Sequence, residues 1–168
     1  MPLIKLYADG SYCPNTGAAG GSYVVQCKDV TIKDRFELGG IGDSWEAEVL
    51  TYGKALQAIM QHPTLKNYVH GNSVIVGVLD CTGVETFVTG LRSHSLKGRK
   101  FPASCMSVRE VFKMLTVHTR VKAKFIHVKA HTNDDTVAAF YNSEVDKHAR
   151  ACMEHMRARL LKTKKCKK

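Results

Sequence analysis

Nowhere in its 168 residues does the chain run apolar for the roughly 18 positions that a membrane-spanning helix requires. Its six cysteines (Cys13, Cys27, Cys81, Cys105, Cys152 and Cys166) stand singly, with no C-x-x-C pair and no histidine at zinc-finger spacing. That excludes the usual structural zinc modules. The opening "MPLIKLYADG" turns polar too early for the apolar core of a signal peptide. These absences predict a soluble, cytoplasmic protein with no membrane partner and with free thiols in a reducing compartment. Acidic residues are also scarce. Fifteen Asp and Glu stand against 25 Lys and Arg, giving a formal charge of +10 and a pI near 9.4. A surplus of that size points to a polyanionic partner, with nucleic acid the leading class.

Linkers and internal repeats are absent too, so one domain is expected. A chain of this length buries roughly 68–70% of the surface its unfolded form exposes, enough for a core of its own. Residues 3 to 8, "SYVVQC" and "TIKDRFEL" follow one another across short polar breaks and read as an antiparallel meander of three strands. The period then changes. Val49, Tyr52, Gly53, Leu56, Ile59 and Met60 share one face of a helix. "VIVGVL", residues 74 to 79, is a continuous apolar run suited to a strand buried on both faces. Helical segments are expected from Val84 to about Leu91 and from Ser107 to His118, then a last strand in "KAKFIHVKAH", and a long helix from Asn142 to Leu161. That order describes a single α/β unit.

Asp9 and Asp80 end the first strand and the buried strand in this reading, and Glu48 lies near the start of the intervening helix. A lone aspartate after a strand is commonly a turn former. Ligand sites in open α/β sheets, however, gather outside the carboxyl ends of strands, where these three would converge if the two strands are parallel neighbours. Asp146 follows Asn142 by four residues, either as an anion favoured by the first turn of the last helix or as a fourth carboxylate of the cluster. Clustered carboxylates repel and raise one another's pKa unless a cation is present. Hard oxygen donors favour magnesium, with manganese a possible substitute. Two such ions about 3.5–4 Å apart can activate a water and stabilise a leaving oxygen in phosphodiester hydrolysis.

Taken in order, "YADGS" with Asn15, "AE" opening a helix, "VIVGVLD", and "VKAH" followed by "NSEVD" resemble the sequential motifs of the type 1 ribonuclease H family, from residue 4 to about 155. The resemblance implies a ribonuclease H-like fold, a five-stranded mixed sheet flanked by helices; the domain is expected over residues 1–161, with 162–168 as a basic tail, since the helical pattern dissolves after Leu161 into "KTKKCKK". It implies a monomeric endonuclease that cleaves the RNA strand of RNA–DNA hybrids with two Mg2+ ions, leaving 5′-phosphate and 3′-hydroxyl ends. Asp9, Glu48, Asp80 and Asp146 match its metal-binding carboxylates, and His131 its mobile-loop histidine. Asn15 and Asn142 match positions near the substrate, and Gly10 and Ser11 follow the first aspartate in the turn that passes close to the nucleic acid. Ser44 stands where the family often has an asparagine that reads ribose hydroxyls, with Trp45 beside it.

Two neighbouring features carry alternatives. Asp43 and Glu46 fit a capping box, with Glu46 reaching back to the cap amide and leaving Glu48 for metal. Arg99 and Lys100, in the basic loop with Phe101, either form a solvated loop or contact the nucleic acid, with the ring as a stacking surface. Two rival functions share this pattern in part: a structure-selective DNase of the Holliday junction resolvase kind, and a non-catalytic nucleic-acid-binding module.

Overall fold

The computed structural model describes residues 1–91, 96–128 and 136–165. Its strands are β1 (Leu3–Cys13), β2 (Ala18–Cys27), β3 (Val30–Leu38), β4 (Val74–Leu79) and β5 (Lys122–His127), and its main helices are α1 (Ser44–Gln61), α2 (Thr82–Thr89), α3 (Ala103–Lys113) and α4 (Val137–Lys165). They form one sheet in the order β3-β2-β1-β4-β5. The first three strands are the antiparallel meander; β4 and β5 run parallel to β1. Among the described residues no helix is long and apolar enough to cross a membrane.

The alternation of β1 decides which helix lies on which face. Ile4, Leu6 and Ala8 point into the larger core, where α1 brings Val49, Tyr52, Leu56 and Ile59 and α2 and α3 bring Val84, Phe87, Val108 and Phe112. Burying each large apolar side chain stabilises the fold by about 1.5–3 kcal/mol, so this face holds most of it together. Tyr7 points the other way, with Val74, Val76 and Val78 of β4, onto Val145 of α4. α4 sits close on β2 because Gly20 lacks a Cβ, which would lie 2.4 Å from the Ala149 carbonyl oxygen.

Four boundaries differ from the sequence expectation. β1 does not end at Asp9 but continues to Cys13, because β2 still pairs with it there, Asp9 opposite Ser22 and Cys13 opposite Ala18. α3 begins at Ala103 rather than Ser107, with the carbonyl of Pro102 accepting from the Met106 amide at 3.1 Å. α4 begins at Val137 rather than Asn142, because the Thr136 hydroxyl caps it by accepting from the Ala139 amide at 3.2 Å. Val137 and Phe140 are 61% and 64% exposed, so this first turn carries no amphipathic signal. At its other end α4 runs past Leu161 to Lys165, through lysines that favour helix without needing burial.

Candidate active site

The register of β1 against β4 places two carboxylates side by side. Tyr7 pairs with Val78, the last β1 residue to do so, and two residues on along each parallel chain stand Asp9 and Asp80. The opening lies where β4 has ended and β1 continues. α1 supplies the third carboxylate: its start is fixed by Asp43, whose Oδ1 accepts from the Glu46 amide at 2.8 Å. Glu46 turns back, as the capping pattern predicts, but accepts from the Gly42 amide at 2.8 Å, one residue beyond the cap. One turn of helix then aims Glu48 at β1, where its Oε2 accepts from the Gly10 amide at 3.2 Å. Gly10 is required at this crossing, since a Cβ there would lie 2.4 Å from the Ala47 carbonyl carbon and 2.5 Å from the Glu48 nitrogen.

Asp9, Glu48 and Asp80 each bring an oxygen into a group whose members all lie within 4.8 Å of one another. Asp9 is only 4% exposed. Burial pushes its carboxyl up to about 7; a hydrogen bond with Glu48 opposes the rise, and the charges of Asp80 and Asp146 add to it. Burial also raises Glu48 well above the usual carboxylate range, with further contributions from Asp9 and Asp80. This donor set fits a divalent cation: all-oxygen, convergent, and strained electrostatically without positive charge. Asp146 stands on α4 outside the close group, yet near enough to raise Asp9. Its carboxylate is held by Arg150, one turn on, at 2.9 and 3.2 Å.

The remaining predicted residues divide by environment. Ser11 is partly buried on β1, Asn15 is exposed in the following turn, and Ser44 is exposed at the first position of α1. Asn142 is 5% exposed, and its side-chain oxygen has no hydrogen-bond partner among the described residues. Trp45 packs edge-on against Phe87 and tilted against Phe101, so Phe101 spends its ring on this cluster. Arg99 is engaged as well: it pairs with Asp43 and stacks over the Trp45 ring at 4.1 Å. Lys100 is exposed. His131 lies outside the described residues. Two participants escaped the sequence reading. The Gly10 amide has no sequence signature as a donor; Arg150 had one, its i,i+4 spacing from Asp146.

With the sheet order and the carboxylates in place, the chain can be set beside known proteins. A family model of ribonuclease H matches residues 2–154. The chain belongs to the ribonuclease H family. It is therefore a ribonuclease H-class hydrolase, and its family generally uses a divalent metal. No curated protein sequence matches it. Among solved structures, the N-terminal ribonuclease H domain of Rv2228c from Mycobacterium tuberculosis is similar at 16% identity and a TM-score of 0.63, covering 94% of this chain and 98% of that one. Ribonuclease H1 from Halobacterium salinarum is similar at 17% identity and a TM-score of 0.60, covering 91% and 98%. LC11-RNase H1, solved in complex with an RNA/DNA hybrid, is similar at 16% identity and a TM-score of 0.63, covering 90% and 97%. At these identities the likeness speaks for the fold.

Proposed function

We propose that this ribonuclease H cleaves the RNA strand of RNA–DNA hybrids endonucleolytically, as a monomer in a reducing compartment, using two magnesium ions, and leaves 5′-phosphate and 3′-hydroxyl ends. The observation that carries the reading is the meeting of Asp9, Glu48 and Asp80 at the step between β1 and β4. A similar fold, that of LC11-RNase H1, has been solved with an RNA/DNA hybrid bound, and the +10 charge suits a polyanion. Asp9, Glu48, Asp80 and Asp146 are the residues that would hold the ions. Bound divalent ions lower the pKa of a water and offset charge on the scissile phosphate and the leaving oxygen.

The chain's own contribution is placement. The Gly10 amide fixes one oxygen of Glu48 against β1, and the sheet register fixes Asp9 beside Asp80. Burial of Asp9 keeps the carboxylates in a poorly solvated setting where their charge acts strongly on a bound cation. Exposed Asn15 and Ser44, with Gly10, Ser11, Trp45, Asn142, Arg99 and Lys100, belong to the proposed substrate contacts. Arg99, held by Asp43 and Trp45, acts there chiefly by fixing the loop beside α1. His131 is assigned a proton-transfer or product-release part, and residues 162–168 a basic extension of domain 1–161.

The test is cleavage of an end-labelled hybrid, with a four-way DNA junction alongside, with and without magnesium, by the native chain and by Asp80→Asn. Magnesium-dependent cutting of the RNA strand is expected, reduced more than about a hundredfold in Asp80→Asn, whose shape is nearly unchanged. Cutting of the junction but not the hybrid would overturn the substrate assignment, and near-native cutting by a folded Asp80→Asn would overturn the metal site.

A further inference from the structure

Asp146 and Arg150 are four residues apart on α4 and therefore lie along one line of the helix. One terminal nitrogen of Arg150, Nη2, spans both oxygens of Asp146, at 2.9 and 3.2 Å. The four carboxylates are thus not equivalent. Asp9, Glu48 and Asp80 all converge on one another, whereas Asp146 meets the group through Asp9 and carries a guanidinium on its carboxylate. The pair is not locked in place: the Arg150 side chain is 55% exposed, and an ion pair that open to water separates at small cost.

We propose that Arg150 is a positioning residue serving as the built-in counter-ion of Asp146, holding its carboxylate in the cation-free protein and yielding it when a second divalent cation arrives. The inference rests on the reading above, in which Asp146 joins the other three carboxylates in holding divalent ions. Its consequence is an order of loading. The convergent three carboxylates accept a cation directly, while a cation shared with Asp146 must displace the guanidinium and bind against its positive charge. Through a water-like dielectric, as for an exposed guanidinium, a unit charge about 6 Å away opposes a divalent ion by roughly tenfold in affinity. Arg150 therefore raises the cation concentration at which the site fills completely, and offsets part of the negative charge that Asp146 directs at Asp9 when the site is empty.

The experiment is titration of the full chain with Mn2+ in the absence of nucleic acid, followed by calorimetry and by the paramagnetic resonance of free Mn2+. Two classes of site are expected in the native chain. Arg150→Gln should tighten the weaker class by about three- to tenfold and leave the tighter class alone. Arg150→Lys, which retains the charge, should stay within about twofold of the native chain, and in an Asp146→Asn background Arg150→Gln should have no effect. Should Arg150→Gln not fold, Arg150→Met, with a stem of similar reach, makes the same comparison. An unchanged or weakened second class in a variant that unfolds thermally like the native chain overturns the counter-ion role, and so does equal tightening in the Asp146→Asn background. If the native chain binds no Mn2+, the cation reading itself falls, and this inference with it.

Discussion

Gly10 has no side chain, yet two constraints meet on it. Its amide donates to Glu48, and the space where its Cβ would lie is filled by the backbone of Ala47 and Glu48. Backbone cannot swing aside as a side-chain tip can. Gly10→Ala should therefore push α1 off β1, costing about 1–3 kcal/mol in stability, as overpacking does. It should also draw Glu48 from Asp9 and lower hybrid cleavage at least about tenfold. Urea unfolding and single-turnover cleavage measure the two effects; a variant as stable and active as the native chain would mean that this contact does not place Glu48. Asp9 and Asp80 were legible in the sequence because each follows an apolar run, but the glycine beside Asp9 read as part of a turn. Its use depends on a helix that crosses from residues 38 positions away, and no local pattern records such a crossing.

Elements were legible where burial imposes a period and obscure where it does not. β4 and α1 announce themselves because nearly every inward position is apolar; the first turn of α4 does not, since a hydroxyl cap and not burial starts it. The reach of β1 beyond Asp9 was hidden for a related reason: pairing with β2 sustains it through Gly10 and Ser11, residues with little strand preference of their own. α1 also contains a cost that the pattern could not disclose. Tyr52 is wholly buried, its hydroxyl has no hydrogen-bond partner among the described residues, and burial pushes its ionisation well above the usual tyrosine range. Leaving a buried hydroxyl unpaired costs about 1–3 kcal/mol, whereas the ring itself packs against Phe125. Tyr52→Phe keeps the ring and removes the orphan, so stability should be unchanged or rise by up to about 2 kcal/mol in thermal unfolding. A clear loss of stability would show that the hydroxyl is satisfied in solution.

Across the whole molecule, positive charge predominates, and yet the raised carboxyls of Asp9 and Glu48 lie within it. Distant lysines are screened beyond about 8–10 Å at ordinary ionic strength, so local burial decides the protonation of the site. The sign of the resulting pH dependence follows. Asp9 titrates near 7 in the fold and near 4 in the unfolded chain, so between those values the native state binds more protons. Stability of the cation-free protein contributed by this group is full below about pH 4 and is lost as pH rises toward 7, at a limit of about 1.4 kcal/mol per unit. A divalent cation reverses the trend, since it binds the ionised carboxylates and must displace their protons. Magnesium should thus do little to the melting temperature at pH 5 and raise it increasingly through pH 7, with the raised Glu48 carboxyl extending the trend upward. At a concentration of a hundred times Kd the gain is about 2.7 kcal/mol, which for a chain of this size is of the order of 5–11 °C. Taking the difference between melts with and without magnesium cancels contributions from charged groups remote from the cation. In Asp9→Asn the pH dependence of that difference should flatten. A magnesium effect equal at pH 5 and pH 8 would place the cation somewhere other than this cluster.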